Sequence, residues 1–137
     1  MQVINYVNDA GGQLMFFPKE KIVSHHFERT LDSKQLKTIL GGGVDVLKKY
    51  GAQKWLSDNR QLVQHSAEDG QWINAFWVPS AIAAGWKYWA LIVPEQEHGR
   101  MNMAEFVTTF YNQGIRVMVF TDFKCAWEWL LDVDNKS

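Results

Sequence analysis

The chain has 137 residues, 47% hydrophobic and 21% charged, which is ordinary usage for one globular domain and excludes a disordered or fibrous chain. Fourteen basic side chains against fifteen acidic ones leave a net charge of -1 without a long basic run, so nucleic acid is not an expected partner. The single cysteine, Cys125, can make neither an internal disulfide nor a thiolate metal cluster, and suits a reducing compartment.

The start, MQVINYVNDAGG, lacks a cationic segment followed by an apolar run, and no stretch reaches the roughly 18 apolar residues that span a bilayer. The expectation is a single cytoplasmic domain over 1–137 with no transmembrane segment. Val3 to Val7 reads as a strand, and Asn8-Asp9-Ala10-Gly11-Gly12 as a turn, because Asn, Asp and Gly tolerate positive φ and bond their own backbone. Gln13 to Phe17 and Ile22 to Glu28 follow as strands flanking Pro18-Lys19-Glu20-Lys21, a hairpin turn whose proline cannot extend a ladder.

From Asp32 the apolar period becomes helical, with Leu36, Ile39, Leu40, Val44 and Leu47 on one stripe and Asp32 with Gln35 as a capping pair. Gly41-Gly42-Gly43 should cost such a helix roughly 1 kcal/mol per residue relative to alanine. The apolar phase nevertheless runs unbroken across them. This predicts one helix to Tyr50, capped by Gly51, with the glycines at a close backbone approach. A phosphate-cradling loop would instead lie between a strand and a helix start.

The remainder alternates strand and helix. Lys54 to Ser57 is a strand, and Ser66 with Asp69 opens a helix whose inner positions are Trp72, Ile73, Phe76 and Ala83, kinked or split at Pro79. Tyr88 to Val93, YWALIV, is a continuous apolar run between Gly85 and Pro94 and predicts a central strand covered on both faces. Asn102 caps a helix through Tyr111 that stops at Gly114; Arg116 to Phe120 is a strand; Thr121 or Asp122 caps a last helix ending near Asp132. Three successive βα units require parallel strands and right-handed crossovers, so the fold class is α/β, a mixed sheet with an antiparallel N-terminal part.

This order of elements, with KYGAQKWLSD, AIAAGWKYWALIVPE and GRMNM…GIRVMVF at the joints, resembles over nearly the whole chain the uncharacterised bacterial members of the SpoIIAA-like group. KWLSDNR and AGWKYWALIVPE followed by GRMNM carry the likeness. The group shares its fold with STAS domains, the anti-sigma-factor antagonists, and with CRAL-TRIO lipid-binding domains. The resemblance implies a non-catalytic binding or regulatory module for a protein partner. A small-molecule or lipid-binding domain related to CRAL-TRIO domains is the alternative, and an enzyme is the least expected outcome.

Characterised STAS antagonists carry a phosphorylatable serine in an Asp-Ser-x-Gly turn. In the nearest segment here, Leu56-Ser57-Asp58-Asn59-Arg60-Gln61, the glycine is missing and the serine precedes the aspartate. A phosphorylation switch at Ser57 or Ser66 thus competes with ordinary strand-end and N-cap roles. The chain is also much shorter than CRAL-TRIO domains, which argues against a deep lipid cavity.

The residues able to do chemistry are scattered. His25 and His26 are adjacent in a strand pattern, so their rings face opposite sides, and His65 and His98 fall in loops without metal-ligand spacing. No metal or other cofactor is expected. Cys125 next to Trp129 in helical phase reads as a small buried side chain, no GxSxG elbow is present, and Glu95 with Glu97 reads as a solvated acidic loop.

Two surfaces remain. Ligands favour the carboxyl ends of parallel strands, which gathers Ser57, Asp58, Asn59 and Arg60 with Glu95, Arg100 and Asp122, either as a ligand or partner site or as a polar ring that fixes loops. The other surface is aromatic. Trp77 turns about 100° from Phe76 and Trp86 lies in a linker; with Met101 and Met103 they would form an association face for another protein or a second copy, unless all pack in the core.

Overall fold

A computed structural model describes residues 2–61 and 65–135. Its six strands, β1 (Ile4–Asp9), β2 (Gly12–Phe17), β3 (Ile22–Phe27), β4 (Lys54–Asp58), β5 (Tyr88–Ile92) and β6 (Arg116–Phe120), lie side by side in chain order. The pairs β1–β2 and β2–β3 are antiparallel and the pairs from β3 to β6 are parallel. The Pro18–Lys21 hairpin turn is where the sequence places it, whereas β1 runs on to Asp9, so the first turn is Ala10-Gly11 alone rather than Asn8 to Gly12.

Parallel neighbours added always in one direction, through crossovers of one hand, put every crossover helix on the same face of the sheet. Those helices are α1 (Ser33–Tyr50), then α2 (Ala67–Trp72) running through a π-helical turn (Ile73–Trp77) into α3 (Val78–Ala83), then α4 (Glu95–Arg100) and α5 (Met103–Tyr111). The larger core fills this side, with Trp55, Trp77 and Trp86 buried under α1 and α3 and Phe106 and Phe110 of α5 packed against it. The last helix, α6 (Phe123–Asp132), returns beneath the sheet and buries Ala126, Trp127 and Leu130 against Leu56, Ala90 and Ile92. No described helix is long and apolar enough to cross a membrane.

Helix α1 runs unbroken through its three glycines. Asp32 Oδ1 accepts from the Gln35 N–H at 2.8 Å while Gln35 Oε1 accepts from the Asp32 N–H at 3.3 Å, a reciprocal cap, and Gly51 ends the helix at φ 64°. Gly43 explains the run. A Cβ there would lie 2.0 Å from Cη2 of Trp55, whose ring is fully buried against the helix backbone. Gly42 has only Leu14 Cδ2 close by, at 3.1 Å, and Gly41 has nothing within 4 Å, so the close approach belongs to one glycine of the three.

The second crossover departs from the sequence pattern. Phe76, expected to face inward, is 68% exposed, and Trp77, expected on an open face, is 7% exposed. The π turn supplies the reason: an i→i+5 turn carries one residue more than an α turn, so the residues after it rotate and Trp77 replaces Phe76 on the inner face. Pro79 then follows just after the π turn, in the first turn of α3, and the helix continues through it. Glu95 to Arg100, with His98, form a short helix rather than a loop.

Candidate functional site

The pleat of β4 divides the segment WLSDNR. Successive side chains of a strand point to opposite faces, so Trp55, Ser57 and Asn59 turn toward the crossover helices, and Leu56 and Asp58 turn toward α6. The neighbouring strand divides the same way, with Val23 and Phe27 in the larger core and Ile22 in the smaller one. His25 thus joins Ser57 and Asn59, while His26 faces Asp58; the two imidazoles are on opposite sides, as their adjacency in a strand predicts.

On the α6 face the polar edge is self-satisfied. Arg60 donates through Nε and Nη2 to the two oxygens of Asp58 at 2.8 and 2.7 Å. His26 Nδ1 lies 3.2 Å from Asp58 Oδ2 without hydrogen-bond alignment, an electrostatic contact. Burial opposes charge on Asp58, but the Arg60 hydrogen bonds, together with the charges of Arg60 and His26, outweigh it and hold the carboxyl below its usual range. The hydrogen bonds to Asp58 raise the Arg60 guanidinium further, and the charge of Asp122 adds to them. Asp122 caps α6 through the Cys125 N–H at 2.9 Å. Its carboxylate raises the pKa of the Cys125 thiol, which is exposed rather than buried as its phase implied. Glu95 and Arg100 sit exposed on α4 and make no ion pair among the described residues, so they do not join this group.

On the other face lies a cavity of about 200 Å³, walled by Trp77, Trp86, Trp89, Phe27 and Phe110, with His25, Ser57 and Asn59 at the strand ends and His65 and Asn74 exposed at its margin. The aromatic wall is continuous. Trp77 meets Trp86 at 5.3 Å between ring centroids, Trp86 meets Trp89 at 5.4 Å, and Trp89 meets Phe110 edge-on at 5.0 Å. Trp77 and Trp86, expected as an open association face, are therefore core and cavity wall, and Met101 and Met103 are half-buried beside Val93 and Val119.

Hydrogen bonds fix the polar groups of this cavity. An indole N–H only donates, so the 3.0 Å contact from Trp55 Nε1 makes His25 Nδ1 an acceptor. The neutral ring then carries its proton on Nε2 and donates it to Asn59 Oδ1 at 3.1 Å. Burial lowers the His25 pKa to about 4, against the opposing pull of Asn59 and of Asp58. Trp89 Nε1 donates to Ser57 Oγ at 2.8 Å, and Trp77 Nε1 donates to the Leu40 carbonyl at 2.7 Å. The Trp86 indole N–H is also buried but has no acceptor among the described residues.

This geometry limits the chemistry. Ser57, at 2% exposure and bonded to Trp89, is closed to a kinase; Ser66 caps α2 through the Asp69 N–H at 3.1 Å. Both ring nitrogens of His25 are engaged, so it has no free lone pair with which to activate Ser57. Sequence reasoning found Ser57, Asn59, Trp77 and Trp86 without the cavity they share, and missed His25, Trp89 and Phe110 as its walls. A signal was present in the alternation Val23-His25-Phe27, which puts a polar ring on an otherwise apolar face. Comparison with protein-family models, curated proteins and solved structures gives no match for the chain.

Proposed function

We propose that the protein is a non-catalytic binding module of STAS-like type that holds a small molecule in the aromatic cavity between its sheet and its crossover helices. The observation that carries this is the cavity itself: an aromatic hollow at the carboxyl ends of parallel strands, walled in part by Trp86, whose buried indole N–H has no acceptor among the described residues. Of the residues expected on an association face, Trp77 and Trp86 are buried and Met101 and Met103 are half-buried. A volume near 200 Å³ is below the ~300–1,000 Å³ of sites for drug-sized ligands, so a long-chain lipid is disfavoured relative to a compact molecule.

The antiparallel N-terminal strands followed by βα units support the likeness to SpoIIAA-like domains. The lone, exposed Cys125 suits the cytoplasm. On this account the Asp58–Arg60 pair is a loop fastener, facing away from the ligand.

Native mass spectrometry of protein purified from its own host tests this, comparing the wild type with the Asp58→Ala, Arg60→Ala double variant. The expected result is a small organic adduct on both, with the variant less stable by about 1–3 kcal/mol, because Asp58 is nearly buried and both its oxygens are bonded. A wild type of bare dimeric mass would favour self-association, for which the edge strand β1 exposes Ile4 and Tyr6. An adduct lost from a variant of unchanged stability would move the site to the polar edge.

A further inference from the structure

We infer that the cavity takes a neutral, planar aromatic molecule of one or two rings that carries a hydrogen-bond acceptor. This rests on the small-molecule function proposed above and narrows it to a chemical class.

Size comes first. The cavity measures about 200 Å³, comparable to the ~150 Å³ apolar cavity that holds benzene in an engineered protein. At about 30 Å³ of liquid per water it would hold about seven waters, most of them against rings that offer no hydrogen bond, so water is a poor filling. Planarity follows from the wall: Trp77, Trp86, Trp89 and Phe110 meet one another at tilted or edge-on angles and present ring faces and edges suited to a flat, apolar guest.

Charge is excluded by the lining. No Asp, Glu, Lys or Arg lines the cavity among the described residues, and His25, a buried titratable group of its lining, is neutral with both nitrogens engaged. An ionic guest would give up its hydration without meeting an opposite charge.

The acceptor follows from the hydrogen-bond inventory around the strand ends. Ser57 Oγ already accepts from Trp89, which leaves its own proton to give. Trp86 contributes an indole N–H with no acceptor among the described residues. Asn59 Oδ1 is taken by His25, whereas no bond engages its NH₂ among the described residues. Around the strand ends, with Ser57 buried and Asn59 half-buried, the free donors therefore outnumber the free acceptors. A ring nitrogen or ring carbonyl on the guest corrects that imbalance, and a purely hydrocarbon guest leaves it.

Three molecules of matched shape separate these requirements: quinoline, naphthalene and 2-naphthoate, titrated at mildly alkaline pH into ¹⁵N-labelled protein while the indole N–H resonances are followed. Quinoline is expected to bind at least about tenfold tighter than naphthalene, the penalty for a buried donor left without a partner. It should also bind at least about tenfold tighter than 2-naphthoate. Ser57→Ala and Trp86→Phe should each narrow the gap between quinoline and naphthalene. Equal binding of the two neutral molecules would overturn the acceptor requirement while leaving a ligand cavity in place. Tightest binding of 2-naphthoate would overturn neutrality. Failure of both neutral molecules to move any indole resonance of the cavity would overturn the inference, whereas the small-molecule function falls only if protein from its own host also carries no adduct.

Discussion

Gly43→Ala is expected to destabilise the fold by about 3 kcal/mol or more, whereas Gly41→Ala in the same helix is expected to stabilise it by about 1 kcal/mol. The opposite signs follow from what each new methyl group would meet. At position 43 it would lie 2.0 and 2.5 Å from Cη2 and Cζ3 of Trp55, a fully buried ring with no room to withdraw. At position 41 it would meet nothing within 4 Å, so only the gain in helix propensity remains. The first substitution also reaches the cavity, because Trp55 is the donor that fixes the His25 tautomer and hence the Asn59 contact. Urea unfolding of the two variants measures both effects. Repeating Gly43→Ala in a Trp55→Phe background should recover about 1–3 kcal/mol of coupling, since the clash is with the six-membered ring that phenylalanine does not carry that far. A loss from Gly43→Ala that is the same with and without the indole would refute the contact.

The second large effect is a loss of stability on mild acidification. His25 has its pKa lowered to about 4 in the folded protein by burial, against an ordinary value of 6.5. Between those values the unfolded chain binds a proton that the folded chain refuses, so stability falls as pH drops from 6.5 toward 4 and levels off below. A difference of that size amounts to about 3 kcal/mol, and most of it should be gone by the lower end of the window. His65, whose pKa burial also lowers, adds to the same trend. Asp58 is held low instead, so its contribution is present above the ordinary carboxylate pKa and is lost only in stronger acid. Chemical denaturation of the wild type and of His25→Asn across this window checks the assignment. Asparagine can keep an acceptor for the Trp55 N–H but cannot titrate, so the acid slope should largely disappear in the variant. An unchanged slope would assign the acid sensitivity elsewhere.

Much of the architecture was legible in the residues because local chemistry and global packing agree. The Asp32 and Gln35 cap, the unbroken phase through Gly41-Gly42-Gly43, the Gly51 stop, the Pro18–Lys21 turn and the apolar run YWALIV each correspond to an observed element. The need for a close approach at the glycines was legible as well, though not which of them required it; that depends on a ring from a strand beyond the helix. The second crossover was misread because a π turn leaves no simple mark in apolar spacing, and its extra residue exchanges the roles of Phe76 and Trp77. The sequence leaves Trp86 open between core and association face, because a linker in sequence can still be buried in space, as Trp86 is. The polar edge reads as one group because the carboxyl ends of parallel strands share an edge, yet the strand pleat sends Ser57 and Asn59 to the cavity and Asp58 to Arg60. The cavity is a property of seven separated segments, two of which meet where His25 and Ser57 stand opposite each other in the parallel register. No local pattern could have shown its volume.

The most direct measurement compares the indole N–H resonances of the protein as purified from its host with those of the same protein unfolded, stripped of small molecules and refolded. Trp55 donates to His25 and lies outside the cavity lining, so its signal should stay in place. The Trp86 resonance should move, because its ring lines the cavity and its N–H has no acceptor among the described residues. Identical spectra, with the Trp86 proton equally protected from exchange in both, would show that the protein itself satisfies that group and would contradict the ligand cavity.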